Sequence, residues 1–399
     1  MFSNTFDTLD SNVRRILDRA VCPSPDLTRE LLENSSRGEL GLSEIAQLLE
    51  IAADPAADSQ FELLRAFTER QYRNNDGNLV RYIAPIYLSS FCVDTCGYCN
   101  FSATRRSAHR IRLSLTDLEA ELATVVGYGP RVIELVLATD PEFPWPVLAQ
   151  YVAKTSEFLK GEAGSGVLLC SDYLPLEAYS ALREAGVWGM VQWDETLDRE
   201  AYRRWHSASP RKRHVEERMD NHERAMAAGL EVATGALFGL ADLRYEVVMQ
   251  IAKARFLEAE YDRKPFAFGT ARLKPIGGRE LHTVADVSDR AYETALMVYK
   301  IAEPAVGRWL QTREAFETNI RNMLHGDAFT YRCGEVRPGG HGSPGFSPKE
   351  MSGSQFLVQD LTREAVERQL SEMRFSIDYT WIGRGAGVGC GAIDACTPA

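Results

Sequence analysis

The chain has 399 residues, 45% hydrophobic and 25% charged, a composition that supports a sizeable buried core and excludes wholesale disorder. Its 45 Lys and Arg against 56 Asp and Glu leave a net charge of −11, which argues against nucleic acid as the main partner because phosphate binding needs a basic face. No run of about 18 apolar residues predicts a membrane span, and the first residues lack the apolar stretch of a secretory signal, so a cytoplasmic protein is expected.

Residues 1–80 are expected to be helical. LTRELLENSS, LSEIAQLLEIA and FELLRAFTERQYR carry apolar residues three and four apart. Ser43 is placed to start the second of these, and Asn75-Asp76-Gly77-Asn78 is a turn signal. From residue 80 short apolar runs alternate with amphipathic stretches. The runs are Arg81–Leu88, Val132–Ala138, Gly166–Cys170, Gly189–Trp193, Val232–Phe238, Ala267–Leu273, Arg308–Gln311 and Ala328–Cys333. Eight such units predict an α/β fold, a (β/α)8 TIM-type barrel over 81–345. Residues 346–399 are expected to form a small α+β extension, with QFLVQDL as a strand, TREAVERQLSEM as a helix and a mobile Gly-rich tail.

Of the eight cysteines, three fall in Cys92-Val93-Asp94-Thr95-Cys96-Gly97-Tyr98-Cys99, a C-x3-C-x2-C spacing directly after the first predicted strand. A loop there lies at the C-terminal mouth of a barrel, where active sites are built. Three thiolates on one loop can wrap one metal centre. Zinc would want a fourth protein ligand, and no second ligand pair stands nearby. Three ligands on a four-iron cluster leave one iron open for chemistry. The alternative is three buried thiols that serve only as small hydrophobes.

C-x3-C-x-aromatic-C resembles the cluster motif of the radical S-adenosylmethionine (SAM) superfamily. Across residues 40–375 the chain is similar to its aromatic amino acid lyases: 2-iminoacetate synthase, the hydrogenase-maturation tyrosine lyase and the tryptophan lyase 3-methyl-2-indolic acid synthase. YIAPIYLSSFCVDTCGYCNF, QWDETLDREAYRRWHSASPRKRHVEERMDNHERAMAAGL, ARLKP, LQTREA and SGSQFLVQDL carry the likeness. The resemblance implies one [4Fe-4S] cluster on Cys92, Cys96 and Cys99, with SAM on the open iron and an electron from flavodoxin or ferredoxin. The resulting 5′-deoxyadenosyl radical would fragment a free tyrosine or tryptophan at Cα. Neither nucleic acid nor a membrane enters this reading.

By the same resemblance Tyr98 lies beside adenine. Thr139 and Asp140 end the second strand, where relatives place a glutamate at the SAM amino group. Glu195 faces the methionyl part, Arg218 the SAM carboxylate, and Gly239 and Leu240 belong to the strand against adenine. Arg313 would hold the substrate carboxylate, Tyr87 would touch the substrate, and Arg332, standing where relatives have a small-residue segment, is the third substrate-binding candidate. Each has a plainer alternative. Arg313 could pair with Glu314 or Glu317, Glu195 could be a first-turn helix charge, Tyr87 could line the barrel, and Asp140 could be a turn residue.

The run Arg203, Arg204, Arg211, Lys212, Arg213, His214 reads as solvated surface. His206, His214 and His222 are expected on surface helices. Cys390 and Cys396 are too few for a second cluster of the hydrogenase-maturation kind. Two other functions are kept open: a radical SAM rearrangement or sulfur insertion, and an iron–sulfur scaffold that does not turn over SAM.

Overall fold

The structure is a computed structural model that describes residues 1–38, 40–75, 78–106, 109–274, 276, 285–325, 328–329, 336–341, 354–356 and 363–382. Four helices open the chain: α1 (Phe2–Arg19), α2 (Pro25–Ser35), α3 (Leu42–Glu50) and α4 (Asp58–Asn75). Strands β1 (Leu79–Tyr82) and β2 (Ala84–Ser89) follow, then α5 (Leu115–Gly127), β3 (Val132–Leu137), α6 (Trp145–Phe158), β4 (Gly166–Cys170), α7 (Leu176–Ala185) and β5 (Val187–Val191). Next come α8 (Arg199–His206), α9 (Val215–Met219), α10 (Asn221–Ala227), β6 (Glu231–Gly235), α11 (Leu243–Tyr261), β7 (Ala267–Gly269) and α12 (Asp289–Ala302). The chain continues through β8 (Gly307–Leu310), α13 (Phe316–Asn322), β9 (Ala328–Phe329), α14 (Arg363–Glu372) and β10 (Ser376–Asp378).

Local chemistry sets several helix starts. Ser114 and Asp117 form a reciprocal capping box at α5, and Asp198, Asp242 and Ser288 cap α8, α11 and α12 through their side chains. Each satisfies backbone donors that the first turn leaves free. At α3 the cap is Gly41 and Ser43 lies inside the helix, two positions past the cap that its residue type suggests. The opening helices cover the barrel's outer ring: α1 lies on α11, α3 on α11 and α12, and α4 on α12.

All pairings in the sheet are parallel, in the order β10-β1-β9-β8-β7-β6-β5-β4-β3-β2. The expected first strand is two strands separated by Ile83. β1 pairs β9 through Arg81↔Ala328, whereas β2 pairs β3 through Ala84↔Ile133. One continuous segment therefore joins the two ends of the sheet and closes the barrel at its base. β10, absent from the expected elements, pairs the other flank of β1. Beyond it the chain passes under β3 and β4, with Tyr379 accepting from Arg131 N and Ile382 N donating to Gly164 O.

The floor of the barrel is a dry layer of Ile83, Val132, Leu168, Val191, Ala233, Ala267, Trp309 and Trp381. Trp381 donates from its indole to Tyr82 O at 3.0 Å. This is a packed interior, and open space begins only above it. Gln355 and Phe356 of the expected strand QFLVQDL sit in a bend; its remainder lies outside the described residues, as do Arg332, Cys333, Cys390, Cys396 and the tail from 383. Among the described residues no helix is long and apolar enough to cross a membrane.

Candidate active site at the barrel mouth

The cysteine loop leaves β2 at Ser89 and is held by its own carbonyls and by Asp94. Arg110 donates to Ser90 O, Phe101 O and Ser102 O at 2.6, 2.9 and 2.7 Å. The buried Asp94 carboxylate accepts from Thr139 Oγ1 at 2.8 Å and from the backbone of Arg211 and Lys212 at 3.0 and 3.2 Å. One carboxylate thus ties the cysteine loop to the ends of two other βα loops.

Cys92, Cys96 and Cys99 all line one cavity of about 120 Å³. Burial pushes the Cys92 and Cys96 thiols up to about 11 and raises Cys99 as well. Thiols in so dry a place ionise only when a cation is present to receive them. Among the described residues no three His, Cys, Asp or Glu side chains are grouped to hold a single ion. Three thiols lining one cavity supply three of the four ligand positions of a four-iron cluster.

Glu195 and Lys212 stand together on the wall of this cavity and of a second one, about 130 Å³, that extends toward the floor. Burial would raise the Glu195 carboxyl, but the charges of Lys212 and Arg218 outweigh it and hold it at about 2. Its backbone has φ 66°, an uncommon conformation for glutamate, fixed by Leu237 N donating to Glu195 O at 2.7 Å. Buried Arg218 donates to Asp172 at 2.8 Å and Trp193 O at 2.9 Å, and its Nε has no partner. Cationic and anionic groups therefore face the same space beside the thiols. That donor set fits the amine and carboxylate of a methionyl group.

Tyr98 is buried, with its hydroxyl 2.6 Å from His206 Nε2. His206 Nδ1 lies 3.0 Å from Tyr202 O and must donate there, so Nε2 accepts from the tyrosine. Burial holds His206 near 3, which keeps the ring neutral.

Several expectations change. Asp140 does not reach the cavity. Its carboxylate is bound by Arg112 at 2.6 and 2.9 Å and by Ser89 at 2.5 Å, and a doubly bonded, ion-paired carboxylate has no oxygen left for a SAM amine. Thr139 lines the cavity but spends its hydroxyl on Asp94. Gly239 turns the chain at φ 110°, so Ala236 and Leu237 form the cavity wall. Leu240 packs behind it with Cys96 and Tyr98. Lys212 is not solvated surface but mostly buried, and the half-exposed Arg211 pairs Asp172 and stacks on Tyr173. His206 and His222 are fully buried, whereas His214 is exposed.

Toward the floor, Tyr87 donates to Gln355 Oε1 at 3.0 Å. The Arg313 guanidinium lies 4.3 Å over the Phe356 ring, and its buried Nη1 has no partner. Glu314 is taken by Arg272 and Lys274 at the back of the loop, which removes it as a surface partner for Arg313. Two lining groups escaped the sequence reading altogether: Lys212, hidden in a basic run, and Glu134, hidden in an apolar one.

The chain is 26% identical over 325 residues to 2-iminoacetate synthase of Escherichia coli, covering 78% of this chain and 83% of that protein. To 2-iminoacetate synthase of Salmonella typhimurium it is 24% identical over 342 residues, 83% and 86% of the two chains. The fold superposes on HydG, a maturase of the [FeFe]-hydrogenase, with a TM-score of 0.83 over 93% of this chain and 80% of that one at 23% identity. These relatives bear out the resemblance to the radical SAM superfamily read from the sequence. The similarity of the chain to these synthases supports an enzyme. Methylornithine synthase (PylB) also shares its fold, with a TM-score of 0.70 over 87% of this chain and 97% of that one at 18% identity. No protein-family model matches the chain.

Proposed function

We propose that the protein is a carbon–carbon lyase that fragments a free aromatic L-amino acid, tyrosine or tryptophan, at Cα. The observation that carries this is Arg313: a buried guanidinium nitrogen without a partner, opening into an aromatic-walled cavity that adjoins the cysteines. An unpaired buried donor costs free energy unless a ligand satisfies it, and a planar fork suits a carboxylate. The 2-iminoacetate synthase relatives support the same substrate class.

When bound, the cluster and SAM supply a 5′-deoxyadenosyl radical, one electron coming from flavodoxin or ferredoxin. The residues of this chain do the positioning. Cys92, Cys96 and Cys99 hold the cluster. Glu195, Lys212 and Arg218 hold the methionyl group, and Tyr98 with Ala236 and Leu237 borders adenine. Arg313 anchors the substrate carboxylate, leaving its amine to face the cysteine cavity. Tyr87, Trp193 and Trp309 wall off water around the ring. The apolar floor below prevents solvent from entering from the base.

The test is anaerobic. Reconstituted enzyme is given SAM, a reductant and one amino acid at a time, and 5′-deoxyadenosine and new fragments are quantified by mass spectrometry. Release that rises with tyrosine or tryptophan, with a matching side-chain fragment, is expected. Release indifferent to every amino acid would remove the lyase reading.

A further inference from the structure

β3 reads Val-Ile-Glu-Leu-Val-Leu, and its inward positions alternate. Val132 belongs to the apolar floor and Val136 to the mouth. Glu134 lies between them, buried and lining the deep cavity. A carboxyl one layer above a barrel floor is costly to bury. Among the described residues it has no ion-pair partner. Its neighbour is the Cys170 thiol, inward on β4 one position after Leu169, which bonds to it. Burial pushes the Glu134 carboxyl up to about 8, so the group is mostly protonated at neutral pH and keeps a carbonyl oxygen as acceptor.

Arg313 and Glu134 thus lie in one cavity, the first on the mouth loop after β8 and the second near the floor, with Tyr87, Trp193 and Trp309 on the walls. We propose that Glu134 is a specificity residue that accepts a hydrogen bond from the ring N–H or O–H of an aromatic amino acid whose carboxylate is held by Arg313. This rests on the lyase reading and narrows it. A ring that carries a donor is taken, and one without a donor leaves a buried acceptor unmatched. Sites built to bond a polar group reject the analogue that lacks it far more strongly than apolar pockets distinguish sizes.

The test is calorimetric titration of L-tyrosine, L-tryptophan, L-phenylalanine and L-lysine into the reconstituted enzyme with SAM. Wild type should bind tyrosine or tryptophan about 10- to 100-fold more tightly than phenylalanine, the worth of one buried hydrogen bond. Glu134→Leu should erase that gap by weakening the polar ligand. Glu134→Gln, which keeps the shape and an acceptor and so guards against a folding failure, should retain most of it. A wild type that binds phenylalanine equally well, or an unchanged gap in Glu134→Leu, overturns the assignment while leaving the lyase reading intact. Tighter binding of lysine overturns it in favour of an ammonium partner. Binding of no aromatic amino acid at all overturns both.

Discussion

The Lys212 ammonium rests against the Glu195 carboxylate on the wall shared by the two mouth cavities. The pair is mostly buried, so removing Lys212 leaves the Glu195 carboxylate with little solvent and without its direct ion-pair partner. Lys212→Met should therefore lower stability by about 3 kcal/mol and weaken SAM binding about tenfold or more. Thermal denaturation and SAM titration of the reconstituted variant measure the two effects separately. Wild-type values for both would show that the pair is incidental.

Each of Cys92, Cys96 and Cys99 faces the cluster cavity, and none is required to fill the main core. Serine at any of them should leave the circular dichroism spectrum unchanged. Iron content should fall from about four per chain toward zero, with loss of the visible cluster absorbance. A fully loaded cluster in any one variant would exclude that cysteine as a ligand.

Arg313 offers a fork, and lysine offers only a point charge. Arg313→Lys should raise KM for the amino acid about 10- to 100-fold. Arg313→Ala should in addition raise the ratio of 5′-deoxyadenosine to fragment, because an unanchored substrate no longer presents the reacting hydrogen. An unchanged ratio would place the carboxylate elsewhere.

A methyl group on Gly269 would stand 2.4 Å from the ring of Trp193, and Gly235 faces the Gly269 backbone equally closely. Gly269→Ala should push Trp193 into the deep cavity at a cost of about 1–3 kcal/mol. Amino acid affinity should drop with it. Denaturant melts and calorimetry check both numbers.

His222 is fully buried, with Nε2 3.0 Å from Gln192 O and Nδ1 3.1 Å from Lys253 Nζ, and Asp194, which accepts from Lys253, lies 3.9 Å from the same Nδ1. Nε2–H donates to the carbonyl and Nδ1 accepts from the ammonium, so the ring is neutral. Burial first, and the Lys253 charge second, hold it at about 4. An unfolded histidine titrates near 6.5. Between those values the unfolded chain binds the extra proton, so this contribution is complete above about pH 6.5 and declines as pH falls toward 4, by about 1 kcal/mol per pH unit. Urea midpoints at pH 7 and 5 should show the decline in wild type and a shallower one in His222→Asn. Equal slopes would assign the acid sensitivity to other groups.

The cysteine motif and most βα units were legible because their signals are local: three thiols in eight residues, and apolar runs bounded by turns. What escaped is set by partners far along the chain. Arg81–Leu88 reads as one strand, and only its pairing with β9 on one side and β3 on the other divides it. Asp140 was misplaced because its partner Arg112 is 28 residues upstream in a loop. Lys212 looked solvated among exposed Arg203, Arg204 and Arg213, since nothing local reveals that Asp94 draws its backbone inward. Glu134 was invisible for the opposite reason: one polar letter in an apolar strand carries no period of its own.

The pairing of Leu79 with Ser376 has a consequence for the order of assembly. During synthesis both flanks of β1 stay bare, one until β9 and the other until β10 emerges nearly 300 residues later. Helices and the β2–β8 pairings can form as they emerge, the ring closes when β9 reaches β1, and β10 then covers the remaining flank of β1. Translation therefore delivers an open, half-wound molecule first. Damage that removes β10 would leave the closed ring with one flank of β1 unpaired and exposed to other copies of the chain.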